Sequence, residues 1–328
     1  MTAPFTLPSK HEEAWRYSDL KALEAAMMLP DAADAPVSEA LSLRDGETLA
    51  LPLEISAGRA SVSHSIAVAA NATATLSESF KGGGWLNPAT TIHVGEGASL
   101  THHIGQMRDE AAITTARYDV EVAKNATYRV HIFNTGGQLG RVELDIRIHT
   151  GASVDLGGVL LADGTQTIEL VTRFHHIAPD ATSRQTVRSV ANGKATVSYL
   201  GKIVISEGSQ RIDAEQSSKA LLLARTATAN AKPELEIYAN EVKCAHGATV
   251  GELDKRALFY LATRGVDPAE AKALLTEAFV ADAIEPIEDE ALRDAFTEAS
   301  AARLREMVRG PQAKGPQAEE LQDTGAGA

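Results

Sequence analysis

The stretch Asn125-Ala126-Thr127-Tyr128-Arg129-Val130-His131-Ile132-Phe133 holds the reading that decides the fold. A turn-forming Asn is followed by Ala and Thr, and then by residues that alternate as the two faces of a strand do. The same opening recurs as Asn71-Ala72-Thr73, Gly97-Ala98-Ser99, Gly151-Ala152-Ser153 and Asp180-Ala181-Thr182, with a variant at Asn192-Gly193-Lys194-Ala195-Thr196. The first five openings lie 26, 28, 26 and 29 residues apart, and Gly58-Arg59-Ala60-Ser61 falls about half a period before them. Asn, Gly and Asp accept the left-handed backbone that a sharp turn demands. Alternating runs follow the turns, as in Val142-Glu143-Leu144-Asp145-Ile146-Arg147-Ile148 and Ile168-Glu169-Leu170-Val171-Thr172-Arg173-Phe174. A fixed period with strands on both sides of each turn predicts a β-solenoid, whose coils stack so that inward side chains form a thin ladder. A β-sandwich also has short strands and frequent turns, but it gives no reason for a constant period.

The composition agrees. The chain has 328 residues, 44% hydrophobic and 23% charged, as in a soluble globular protein of two or three units. Aromatics are only 5%, which suits a narrow core of small and β-branched residues. The net charge of −13 argues against nucleic acid and against an anionic membrane surface as partners. One cysteine, Cys244, rules out an internal disulfide and a self-contained four-cysteine metal site. No basic start leads into an apolar run at the N-terminus, and the apolar run Ala220-Leu221-Leu222-Leu223-Ala224 is too short to span a bilayer, so a cytoplasmic protein is predicted.

Four segments separate. Residues 1–50 read as short helices and loops, with Ser18-Asp19 capping an apolar helix through Met28. Residues 51–247 read as β-solenoid, 248–309 as a helical domain and 310–328 as a disordered polar tail. Within the helical domain Asp254 caps a first helix, and Asp267-Pro268-Ala269-Glu270 opens a second with N-cap, first-turn Pro and capping-box Glu in place. Ala271, Leu274, Leu275, Ala278 and Phe279 form its apolar stripe, and a third helix runs from Asp289 to Val308.

Cys244 and His246 are the residues chosen as candidate ligands. Two apart on a strand, they share a face, and thiolate with imidazole suits iron–sulfur chemistry or zinc. Two donors do not close a four-coordinate site, so the others must come from a partner chain; the alternative is a packed cysteine. His102-His103 and His175-His176 put neighbours on opposite faces and so do not share an ion; each pair reads as a surface histidine beside a turn or ladder histidine. Gly82-Gly83-Gly84 lacks the Lys-Ser/Thr of a phosphate loop and reads as a flexible turn. Asn71-Ala72-Thr73 and Asn125-Ala126-Thr127 match the glycosylation pattern only because the turn repeats.

An ordered block near the end of the β region carries a resemblance. Gly201-Lys202-Ile203-Val204 is followed by Gly208, Gln210, Asp213 and Gln216, then Leu221-Leu222-Leu223. After these come Pro233-Glu234-Leu235-Glu236-Ile237-Tyr238-Ala239, Val242-Lys243-Cys244-Ala245-His246-Gly247 and Leu258-Phe259-Tyr260-Leu261 with Arg264-Gly265. This block, with Glu12-Glu13-Ala14-Trp15-Arg16-Tyr17-Ser18-Asp19-Leu20, resembles the SufB/SufD family of iron–sulfur cluster assembly proteins. The short chain and single cysteine resemble its SufD branch. The resemblance implies a right-handed parallel β-helix core flanked by helical regions, and a non-catalytic scaffold role. It implies pairing with SufB through the β-helix edge, with the ATPase SufC docked on the C-terminal helices; whether the isolated chain forms a homodimer is left open by the sequence. Cys244 and His246 match the positions implicated in a transient, nascent iron–sulfur cluster at the SufB interface. Two alternatives are weighed against this: a β-helix hydrolase or lyase acting on a polysaccharide, and a structural interaction protein without a metal role.

Overall fold

The computed structural model describes residues 5–309. The tail expected at 310–328 lies outside them. Sixteen strands alternate between two facing parallel sheets, two strands to a coil. One sheet holds, in spatial order, β1 (Glu39–Leu43), β3 (Arg59–Val68), β5 (Trp85–Val94), β7 (Ile113–Val122), β9 (Leu139–Ile148), β11 (Thr167–His176), β13 (Thr196–Ile205) and β15 (Thr228–Ile237). The other holds β2 (Thr48–Ile55), β4 (Thr73–Gly82), β6 (Ser99–Gln106), β8 (Thr127–Asn134), β10 (Ser153–Ala162), β12 (Thr182–Ala191), β14 (Ile212–Leu222) and β16 (Val242–Gly251). This is the mainly β, parallel solenoid that the repeat predicts. It starts earlier than expected, because β1 lies inside the segment read as helices and loops. Glu39-Ala40-Leu41-Ser42-Leu43 is too short to alternate visibly, and it is a strand because β3 offers it an edge, pairing Leu43 with Val68.

The repeated turns stack in register. Thr73, Ser99, Thr127, Ser153 and Thr182 are successive partners at the start of the even-numbered strands. The Ala before each of them is buried. The residues before those alanines hold left-handed φ values of 57° at Asn71, 67° at Gly97, 56° at Asn125, 67° at Gly151 and 65° at Asp180. Their amides bond to the next coil, as Asn125 N–H does to Thr150 O at 2.9 Å. The variant opening at Ala195-Thr196 and the half-period one at Arg59 begin odd-numbered strands instead. Between the sheets, inward columns such as Ile92, Val120, Ile146, Phe174 and Ile203 run through successive coils, fully buried. Parallel strands buried on the inward face need such aliphatic ladders, which is why few aromatics suffice.

Helices cover parts of both outer faces. Helix α1 (Leu20–Met27), capped by Asp19, lays Leu23 and Ala26 on Trp85, Ile113 and Leu139 of the odd-numbered sheet. After β16 come α2 (Lys255–Thr263), α3 (Pro268–Ile284) and α4 (Glu290–Arg309). Two caps are as read, Asp254 accepting from Arg256 N–H and Asp267 from Ala269 N–H at 2.8 Å, and Asp289, expected only to start the third helix, accepts from Leu292 N–H. The apolar stripe differs. Of the expected stripe Ala271 is buried, Leu275 and Phe279 are half-buried and Leu274 and Ala278 are exposed, while the buried face continues through Ala273, Thr276, Val280, Ala283 and Ile284. Helix α3 is sandwiched between α4 and the outer face of β10 and β12, so it is apolar on two sides and its period gives no single stripe. Phe133, Val159, Leu161, Val190 and Leu221 supply the sheet side of that contact. Among the described residues, no helix is long and apolar enough to cross a membrane.

Candidate functional site

Strand β16 ends its sheet and pairs on one side only, with β14. In that register Cys244 sits against Ala214 and His246 against Gln216. Ala214 and Gln216 are both buried on the inward face. Cys244 and His246 therefore continue two inward columns, Val154–Ser183–Ala214–Cys244 and Leu156–Gln185–Gln216–His246, at the coil where the solenoid ends. Cys244 is half-buried against the aliphatic core, and His246 is exposed. The two chosen residues thus share one face of an edge strand. Burial pushes the Cys244 thiol above its ordinary value, the Asp213 charge adds to that, and a hydrogen bond involving the Ala214 backbone opposes it. A thiol so placed becomes a ligand when a cation or a partner group favours the thiolate. Among the described residues, no three His, Cys, Asp or Glu side chains converge to hold a metal ion.

Large apolar side chains stand exposed around this strand. Ile237 and Tyr238, at and just after the end of β15, are exposed, as is Val250 of β16. Helix α2 buries none of its residues, and Phe259 and Tyr260 stand 72% and 57% exposed.

The other residues singled out in the sequence lie elsewhere. His102 and His103 do take opposite faces, but neither is at the surface. His102 is inside the solenoid, its Nδ1 2.8 Å from the Tyr128 hydroxyl and its Nε2 2.9 Å from Glu78. His103 lies on the outer face under α4, stacked on His131 with ring centroids 5.3 Å apart and edged by Phe296. The helical hairpin covers what would have been a surface histidine. His175 is on the outer face beside Asp145, and His176 is inside, 2.9 Å from the Ser183 hydroxyl. The Gly82-Gly83-Gly84 turn is anchored rather than loose: the buried Arg108 guanidinium donates to the carbonyls of Lys81, Gly83 and Gly84. Burial pulls that guanidinium down to about 10.

Sequence reading missed the buried polar networks, and one of them anchors the N-terminal segment. Arg141 lies buried on the outer face of β9, donating to Glu169 at 2.9 Å, Glu143 at 2.9 Å and the Ala14 carbonyl at 2.8 Å. Its guanidinium lies 3.9 Å from the centre of the Trp15 ring. Ser18 donates to Glu169 at 2.6 Å. The N-terminal Trp15 and Ser18 therefore clamp the first segment to the sheet. Arg141 and Glu169 are 28 residues apart, one coil, so the period itself was the signal that pairs them.

Among the described residues the chain is a two-sheet parallel solenoid that ends on an edge strand bearing Cys244 and His246 on one face. The family described as "SUF system FeS cluster assembly, SufBD core domain" matches residues 55–279, and the chain belongs to that family. Its relatives include the iron-sulfur cluster assembly protein SufD of Escherichia coli, 29% identical over 70% of this chain and 56% of that protein. An iron-sulfur cluster assembly SufBD family protein of Synechocystis is 28% identical over 61% of this chain and 45% of its own length. The chloroplastic protein ABCI7 of Arabidopsis thaliana is 29% identical over 64% of this chain and 45% of its own length. The chain thus spans about half the length of these curated relatives.

Proposed function

We propose that this chain is a SufD-like, non-catalytic subunit of a cytoplasmic scaffold that assembles iron–sulfur clusters. SufB is its partner at the solenoid end, and the ATPase SufC docks on its C-terminal helices. The observation that carries the reading is the placement of Cys244 and His246 on one face of an edge strand that nothing among the described residues covers. A β-edge with unpaired N–H and C=O groups takes another strand readily, and the partner would bring the ligands that two donors lack. The cluster is cargo, held transiently between the chains. The exposed Phe259 and Tyr260 on α2 are the anchors proposed for SufC, since exposed aromatics on a small helix are the usual centre of such contacts.

The test is to build the complex with Cys244→Ser and His246→Ala variants and measure bound iron and acid-labile sulfide. Both variants are expected to assemble normally and to hold several-fold less cluster. Unchanged cluster content in both would remove the metal role and leave a structural partner of SufB. Phe259→Ser with Tyr260→Ser is expected to abolish SufC capture while SufB capture persists. Substitution is the better probe than deletion of the helices, because α3 and α4 cover Phe133, Val159 and Leu161.

A further inference from the structure

A buried polar chain runs inside the solenoid toward its open end. Thr172 Oγ1 donates to Gln185 Oε1 at 2.7 Å, and the Tyr199 hydroxyl donates to the same oxygen at 3.0 Å. Gln216 Nε2 donates to the Tyr199 oxygen at 2.7 Å. All four side chains are buried in an otherwise aliphatic core. Gly201 makes room for them, since a Cβ there would overlap both Gln216 Nε2 and the Tyr199 hydroxyl.

The chain stops at Gln216. Gln185 Oε1 takes the Tyr199 hydroxyl proton, its own Nε2 remaining buried without a partner, and Gln216 presents its NH2 to the Tyr199 oxygen. Its Oε1 is thereby turned away, and it is buried without a partner. Leaving a buried carbonyl unpaired is costly, so a side chain held in this way by Tyr199 implies an acceptor kept for a donor. The residue that the register sets against Gln216 in the last coil is His246.

We infer that Gln216 is a positioning residue for His246: its Oε1 accepts the N–H of one imidazole nitrogen and fixes the ring at the solenoid end, with the other nitrogen free beside Cys244. Ligating histidines commonly have one ring nitrogen held by such an acceptor, which sets tautomer and orientation. The use of the held ring as a ligand rests on the function proposed above; the contact itself does not.

The experiment uses the full chain labelled with 15N-histidine, at a pH above 8. The His246 signals are those missing in His246→Ala. The expected result is one dominant His246 tautomer in the unaltered chain. Gln216→Met, similar in length and without an acceptor, should return His246 to the tautomer mixture of free imidazole, while Gln216→Glu retains the single form. Tyr199→Phe, which unpins Gln216, should shift the mixture in the same direction, and it serves as the readout if Gln216→Met does not fold. A free mixture in the unaltered chain, or a tautomer that neither variant moves, overturns the inference. Unchanged cluster content in both Cys244→Ser and His246→Ala would instead remove the proposed metal role and leave the tautomer result standing.

Discussion

At the scale of single residues, the buried ion pair and the exposed ligand candidates call for opposite expectations. Arg141 is surrounded by Glu169, Glu143 and Trp15, and Glu169 is itself buried. Removing the guanidinium leaves the Glu169 carboxylate in a low-dielectric site with only Ser18 to satisfy it. Breaking a buried pair in this way typically costs about 3–5 kcal/mol. Arg141→Met is therefore expected to lower the urea midpoint substantially and to shift Trp15 emission to the red as the N-terminal segment detaches. Unchanged stability and emission would show that the clamp contributes nothing. Cys244→Ser and His246→Ala sit at a half-open edge, and each is expected to cost about 1 kcal/mol or less in the isolated chain. The Cys–x–His pair was visible in the sequence because strand spacing alone puts residues two apart on one face. That Gln216 lies next to His246 was not visible, since it depends on a register between coils that differ in length.

At the scale of turns and helices, the repeat makes a specific demand on glycine. Gly97 has φ of 67°, and a Cβ there would lie 2.5 Å from Asn71 Oδ1 of the preceding coil. Gly208 has φ of 82° with nothing within 4 Å. Gly208→Ala should cost only the left-handed backbone penalty of about 1–2 kcal/mol, and Gly97→Ala more, through the added overlap. Equal losses in urea unfolding would mean that the Asn71 contact is unimportant. The helical hairpin adds a pH dependence. Burial, with the charge of neighbouring groups, pulls His103 down to about 3 and His131 down to about 4, against an ordinary 6.5. The unfolded chain therefore takes up protons first as pH falls, and the stability held above 6.5 is lost progressively toward 4 and 3. Between pH 6.5 and 5 the loss is on the order of 1–2 kcal/mol for each histidine. His103→Leu with His131→Leu should flatten this slope without abolishing it, because buried His176, held down to about 4, contributes the same sign. An unaltered slope in the double variant would place the titration elsewhere. The helix caps were legible because Asp and Pro act locally. The buried face of α3 was not, because a helix covered on two sides loses its single apolar stripe.

At the scale of the whole molecule, the solenoid was legible because each coil repeats one local solution, and a period survives changes in every individual side chain. Its start at β1 was not, since an edge strand is defined by the neighbour it pairs with rather than by its own pattern. The same logic governs the other end. In the central coils each strand pairs on both sides, and the inward residues are sealed by coils above and below. Strands β15 and β16 pair on one side only, and most of their residues are half-buried or exposed. Local opening free energies should therefore fall steeply toward this end. Amide hydrogen exchange in the isolated chain is expected to be slow across β8–β12 and fast across β16. Adding SufB should slow exchange in β15 and β16 selectively, since a strand partner closes the open edge. Tyr238 and Val250 are 64% and 49% exposed at that edge, so changing them removes little that folding uses. Tyr238→Glu with Val250→Lys should leave the urea midpoint of the isolated chain nearly unchanged, within about 0.5 kcal/mol for each exposed site. The same double variant should weaken SufB binding at least about tenfold, which corresponds to about 1.4 kcal/mol and is modest for an aromatic anchor. If binding persists at full strength while exchange in β16 remains fast, the partner sits elsewhere on the solenoid, and the edge that bears Cys244 and His246 is not the meeting surface.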